Sequence, residues 1–112
     1  MRFGTYMVGG EESAIDGESS IKMAIRPSAN DAHLIRKCLV EELEAINDYM
    51  ERADKCENDI VRKVMLDIAE EERVHFGEFE LLLEAVDPIH EPSEEEGEEE
   101  IQDMYGEYDN ED

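Results

Sequence analysis

Apolar residues recur along the middle of the chain with a helical period. From Ala29 to about Cys56, the positions Ile35, Leu39, Glu42, Ile46, Tyr49, Ala53 and Cys56 are separated by alternating steps of four and three. A 3.5-residue repeat of this kind is the seam of one helix lying along another. A second stretch, from about Ile60 to Val86, repeats it through Val61, Met65, Ile68, Glu72, His75, Phe79, Leu82 and Val86. Ser28 with Asp31 three residues later forms a capping pair for the first helix. Asn58 or Asp59 serves the second, and Asp87-Pro88 ends it. The connection through Lys55–Asp59 is short, so the two helices are predicted to run antiparallel as a hairpin.

The flanks lack this period. Residues 1–27 carry scattered Gly, Ser and acidic residues, including Gly9-Gly10 and Asp16-Gly17-Glu18-Ser19-Ser20, and predict a flexible N-terminal arm. Residues 89–112 hold 12 Asp or Glu and no Lys or Arg. Such a block repels itself and is expected to form a disordered acidic tail, with Ile101, Met104 and Tyr105 as its apolar cluster. The expected organisation is therefore an arm (1–27), a helical hairpin (28–88) and a tail (89–112).

The polar residues within the seams carry the candidate chemistry. Glu42 interrupts the first seam, and Glu72 with His75 interrupts the second. Glu42 and Glu72 each lie about 15 residues from the middle of the turn, so an antiparallel hairpin puts them at one height, about 22 Å from it. His75 follows one turn later on the same face. Two carboxylates meeting in an apolar seam repel and are costly to bury. A divalent cation resolves the conflict, and carboxylate plus imidazole suits a first-row transition metal. The basic residues at this height, Arg36, Lys37 and Arg73, fall off the seams.

One hairpin supplies half of a di-iron carboxylate ligand set, in which two helices give one Glu each and two give Glu-x-x-His. It also cannot bury its own seam. A two-fold homodimer forming a four-helix bundle answers both deficits.

Composition narrows the partners. A net charge of −23 argues against nucleic acid and anionic membranes. No apolar run approaches the length of a membrane span, and the N-terminus lacks the apolar region of a signal peptide. The two cysteines, Cys38 and Cys56, form no Cys-x-x-Cys motif. On one helix they lie about 27 Å apart, too far for a disulfide, so reduced thiols in a cytosolic compartment are expected. His33 and His90 are expected at the surface, and Met50 and Met65 as core filler.

Glu41-Glu42-Leu43-Glu44-Ala45-Ile46-Asn47-Asp48-Tyr49, followed by Glu71-Glu72-Arg73-Val74-His75, resembles the encapsulated ferritins, two-helix ferroxidases housed in encapsulin nanocompartments. The resemblance covers about Ser28 to Pro88. It implies an all-α, ferritin-like bundle made by dimerisation, and Fe(II) oxidation by O2 at a di-iron centre of Glu42, Glu72 and His75. It implies Tyr49 beside that centre and a secondary cation site, of the Ca2+ type, at Glu41 and Glu44. It further implies a ring of dimers, typically a decamer, and an encapsulin shell as partner. The chain departs from the family in its final residues, Tyr108–Asp112, which do not resemble a docking peptide. That leaves 101–105 or 3–8 for the role. Two other readings compete: a rubrerythrin-like di-iron peroxide reductase, which would need an external electron donor, and a metal-free acidic helical module binding a basic partner.

Overall fold

The computed structural model describes residues 17–110. Within them lie four helices, α1 (Gly17–Ala24), α2 (Ala29–Lys55), α3 (Asp59–Val86) and α4 (His90–Asp109), and no strand. The long pair α2 and α3 forms the expected antiparallel hairpin, closed at both ends by specific bonds. Ser28 caps α2, its Oγ accepting from the Asp31 N–H at 3.1 Å. The Ser28 N–H donates to Val86 O at 2.9 Å, which ties the start of α2 to the end of α3. At the other end, the Arg62 guanidinium donates to the Ala53 and Cys56 carbonyls. Ala53 O also accepts from the Cys56 N–H at 3.2 Å, and a cation at a helix C-terminus is favourable. Asn58 occupies the N-cap position of α3 without a side-chain cap bond.

The core sits between the two long helices. On α2 the buried residues are Ala32, Leu39, Ile46 and Ala53, one every seven residues. Ala32 and Leu39 cluster with Leu83 and Val86 of α3, and Ile25, Ile35, Phe76 and Phe79 pack against them. Burial of Leu83, which is 1% exposed, contributes on the order of 2 kcal/mol.

The α3 seam is rotated from its expected register. All seven predicted α2 positions are buried or half-buried. On α3 the inward row is Arg62, Met65, Ala69, Glu72, Phe76, Phe79, Leu83 and Val86. Of the predicted seam, Met65, Ile68, Glu72, Phe79, Leu82 and Val86 are buried or half-buried. Val61 and His75 are exposed and give way to Arg62 and Phe76, and Ala69 and Leu83 lie deeper than Ile68 and Leu82. Sequence periodicity is blind to this, because both rows are largely apolar. The displaced row flanks the hairpin, where Val61 stays 42% exposed and His75 points partly to solvent.

The acidic segment also differs from expectation: His90–Asp109 is helical. Glu is a good helix former, Pro92 falls in the first turn where its missing N–H costs nothing, and early acids complement the helix dipole. These local preferences outweigh the charge repulsion that predicts disorder. The helix buries no residue, and Ile101, Met104, Tyr105 and Tyr108 form an exposed stripe along it. Part of the expected flexible arm is ordered as well. Lys22 of α1 bridges to Glu84 of α3 and Glu91 of α4, and Ile25 reaches the core. Residues 1–16, including the 3–8 segment, lie outside the described residues.

A single hairpin leaves apolar surface uncovered. Leu34, Leu43 and Met50 of α2 and Ile60, Val61, Val64 and Val74 of α3 remain more than 40% exposed. The radius of gyration is 19.0 Å, against about 13 Å for a compact chain of this length.

Candidate metal centre

Glu42 lies midway along α2, between the buried Leu39 and Ile46. Glu72 occupies the inward row of α3 between Ala69 and Phe76. The antiparallel packing brings them to the same level. His75, one turn beyond Glu72, completes the group. Its Nδ1 is 3.3 Å from Glu72 Oε2 and 3.7 Å from Glu42 Oε2. One ligand atom from each of the three residues lies within 4.8 Å of the others.

The two carboxylates are largely buried, with Glu42 16% and Glu72 20% exposed, while the imidazole is 48% exposed. Glu42 Oε2 is closed off from solvent and meets no hydrogen-bond donor. Contact with Glu72, then burial, raises the Glu42 carboxyl above the usual carboxylate range, and His75 works against this. Glu72 is lowered, first by its bond with Glu42 and then by His75. The opposite shifts describe two carboxyl groups so close that they cannot both ionise cheaply. The bond to Glu72 and the charges of Glu42, Glu72 and Glu78 raise the His75 imidazole. A divalent cation would relieve this conflict and give the bare Glu42 oxygen a partner.

The other predicted site residues do not converge on this group. Tyr49 is half-buried, two turns along α2 toward the hairpin connection, with the Arg52 guanidinium 5.1 Å from its ring centroid. Glu41 and Glu44 are exposed on α2 and belong to none of the converging ligand sets among the described residues. His33 is exposed, as expected. His90 is not: it is half-buried, with Nε2 3.0 Å from Glu94 and 3.5 Å from Glu80. The four-residue spacing of His90 and Glu94 was a sequence signal for this contact, masked because the whole segment read as unfolded.

The EncFtn-like family profile matches residues 20–96, which include all three converging residues. The chain belongs to the encapsulated-ferritin family. Over 55 residues, 49% of its length, this encapsulated-ferritin chain is 46% identical to a ferritin-like–encapsulin shell fusion protein of Pyrococcus furiosus. The match spans 16% of that relative, which is a far longer protein. The fold is similar to the crystal structure of the encapsulated ferritin domain from Pyrococcus furiosus. The TM-score is 0.63 with 28% identity, covering 92% of this chain and 97% of that domain. The fold is thus all-α and ferritin-like. No helix among the described residues is long and apolar enough to cross a membrane.

Proposed function

We propose that this protein is a ferroxidase that takes Fe(II) as substrate and passes its electrons to O2, at a di-iron centre shared between two copies of the chain. The observation that carries this reading is the convergence of Glu42, Glu72 and His75 around a carboxylate oxygen with no donor. One copy offers two carboxylates and one imidazole, too few for two iron ions. Two copies related by a two-fold axis offer four carboxylates and two imidazoles, the ligand set of a di-iron bundle. The half-exposed His75 and the uncovered Val61 flank the hairpin on the row that a second hairpin would cover.

Each residue then has a defined task. Glu42 and Glu72 bind the iron, and their negative charge favours Fe(III) over Fe(II), which promotes loss of the electron. His75 binds iron through a neutral ring nitrogen, so it must first lose its proton. Tyr49 supplies a hydroxyl near the dimer seam, and Glu41 and Glu44 form an outer cation-collecting face of the Ca2+-binding type. We assign the protein to the cytoplasm, inside an encapsulin compartment that receives the Fe(III). The fusion of a ferritin-like segment to an encapsulin shell in the Pyrococcus relative supports that partnership. The assembly is a dimer, and a decameric ring of dimers is the expected higher order.

The test is anaerobic Fe(II) loading of the purified full chain followed by O2, with ferric absorbance and native mass recorded together. Two irons per two chains and rapid oxidation are expected, with Glu72→Ala and His75→Ala abolishing the fast phase. Oxidation no faster than in buffer would overturn the reading. Faster turnover with hydrogen peroxide than with O2 would replace it by a peroxide reductase.

A further inference from the structure

We propose that Glu80, His90 and Glu94 form a second divalent-cation site, separate from the Glu42–Glu72–His75 group, which fastens α4 to α3. The three residues bring one imidazole nitrogen and two carboxylate oxygens within 4.8 Å of one another. Glu80 comes from α3, and His90 and Glu94 from the first turns of α4. Glu80 lies five residues beyond His75, about 7.5 Å along the helix axis and on a different face. The two sets therefore share no ligand and serve separate ions.

Two further observations point to a cation. First, His90 Nε2 is shut off from solvent and makes no hydrogen bond of acceptable geometry. It is nevertheless 3.0 Å from Glu94 Oε1 and 3.5 Å from Glu80 Oε1. The contacts are close enough for ion pairing, yet neither carboxylate completes a hydrogen bond with the ring nitrogen. Buried ring nitrogens are normally paired, so this one is short of a partner.

Second, the neighbouring cluster has its cation built in. Glu84, one turn beyond Glu80, joins Glu18 and Glu91 around the Lys22 ammonium, which lies 2.8, 3.1 and 3.0 Å from the three carboxylates. Those carboxylates raise the Lys22 amine well above its ordinary value. The Lys22 cluster and the His90 cluster thus sit side by side across the junction of α3 and α4. In the second, no Lys or Arg among the described residues pairs with Glu80 or Glu94. An external ion takes the place that Lys22 fills in the first.

The donor set defines the ligand class. Imidazole with two carboxylates suits Fe(II), Zn(II), Co(II) or Mn(II) rather than Ca(II) or Mg(II), which prefer all-oxygen shells. The ligands are reachable, with side chains 22% (His90), 28% (Glu80) and 44% (Glu94) exposed. The consequence is mechanical. Helix α4 buries no residue, and its N-cap Ile89 makes no side-chain cap bond. Cross-links at its first two turns are therefore what hold it against the hairpin, and the ion is one of them. Metal binding orders α4 because the ligands come together only in the docked state.

The experiment uses the full chain stripped of metal, titrated with Co(II) for its visible spectrum and with Zn(II) for calorimetry and amide exchange. His75→Ala, which removes a ligand of the first group, should still bind one equivalent per chain. His75→Ala combined with His90→Ala should lose it. Zn(II) should slow amide exchange in residues 90–96 at least tenfold in His75→Ala and leave the double variant unchanged. In the otherwise native chain, His90→Ala and the conservative Glu94→Gln should each remove one equivalent per chain. Equal stoichiometry with and without His90, or exchange in 90–96 indifferent to Zn(II), would overturn the proposal. Neither outcome bears on iron oxidation at the first group, which is read separately by its ferric absorbance.

Discussion

His75 and Phe76, neighbours in the chain, divide one turn of α3 between the Glu42–Glu72 cluster and the core. Phe76 packs inward against the Ala32–Leu39–Leu83–Val86 cluster. The His75 ring lies at the flank, 48% exposed and 3.3 Å from Glu72. Substitutions at the two positions should therefore separate stability from metal binding. Phe76→Ala should cost about 3 kcal/mol in denaturant unfolding of the metal-free protein. His75→Ala should leave that unfolding free energy within about 0.5 kcal/mol and abolish metal binding at the Glu42–Glu72 group. A large stability loss in His75→Ala would place the ring in the core.

Metal uptake at the Glu42–Glu72–His75 group should depend on pH with a definite sign. The folded protein raises His75 through its bond to Glu72, and raises Glu42 through contact with Glu72 and burial. Protons on both residues compete with the metal, so apparent affinity should fall as pH falls. For His75 the loss should begin above the ordinary imidazole midpoint of about 6.5. In the metal-free protein the same imidazole has the opposite effect on stability. Its raised value contributes stabilisation that is complete below the unfolded midpoint and vanishes as pH rises through the folded one. Zinc calorimetry and thermal unfolding between pH 5 and 8 should thus show opposite slopes. Parallel slopes would mean that His75 is not the group titrating.

The hairpin and the convergence of Glu42, Glu72 and His75 were legible in the sequence because both rest on spacing. Equal distance of Glu42 and Glu72 from a short turn sets their height whatever the rotation of each helix. The rotation itself was not legible. Rows 61/68/75/82 and 62/69/76/83 are both mostly apolar, and the choice between them depends on what packs opposite, which no local pattern encodes. The acidic segment misled for a different reason. Its charge argues for disorder while its glutamates favour a helix, and composition cannot weigh one against the other. The Arg62 clasp over the end of α2 was invisible too, since a long side chain can reach back to any of several carbonyls.

Gly97 gives a direct check on α4. It sits mid-helix at an exposed position, and a Cβ there would meet nothing within 4 Å. Gly97→Ala should stabilise the helix locally by about 0.8 kcal/mol. Far-UV circular dichroism should gain helical signal, and amide exchange around residue 97 should slow about threefold. A disordered acidic segment would respond in neither measurement.

Lys22 draws together α1, α3 and α4 through Glu18, Glu84 and Glu91. Lys22→Met keeps the apolar stem but leaves three carboxylates facing one another. Repulsion among them should free both flanking helices while the α2–α3 hairpin, which holds the core, stays folded. Limited proteolysis should then cut near residues 24–28 and 87–91 faster than in the native chain, and added salt should partly restore protection by screening the repulsion. Unchanged cleavage would mean that the ammonium contributes no cohesion at this junction.

Glu42→Leu tests whether the unpaired carboxylate is retained for binding at the expense of stability. Its Oε2 is closed off from solvent and meets no hydrogen-bond donor, and its neighbours along the seam, Leu39 and Ile46, are buried. Replacing a poorly satisfied buried ionisable group by an apolar one of similar size is often stabilising. It also relieves Glu72 of a second carboxyl group beside it. The metal-free variant should therefore unfold about 4 °C higher than the native chain in thermal scans at neutral pH. Adding Zn(II) should then raise the native chain's midpoint, while in Glu42→Leu the increment should shrink by the part that the first group supplies. The same melting curves decide between the metal centre and a metal-free acidic module, because the latter predicts equal increments in both chains. A lower midpoint for the metal-free variant would mean instead that Glu42 makes a stabilising contact that its isolated oxygen does not reveal.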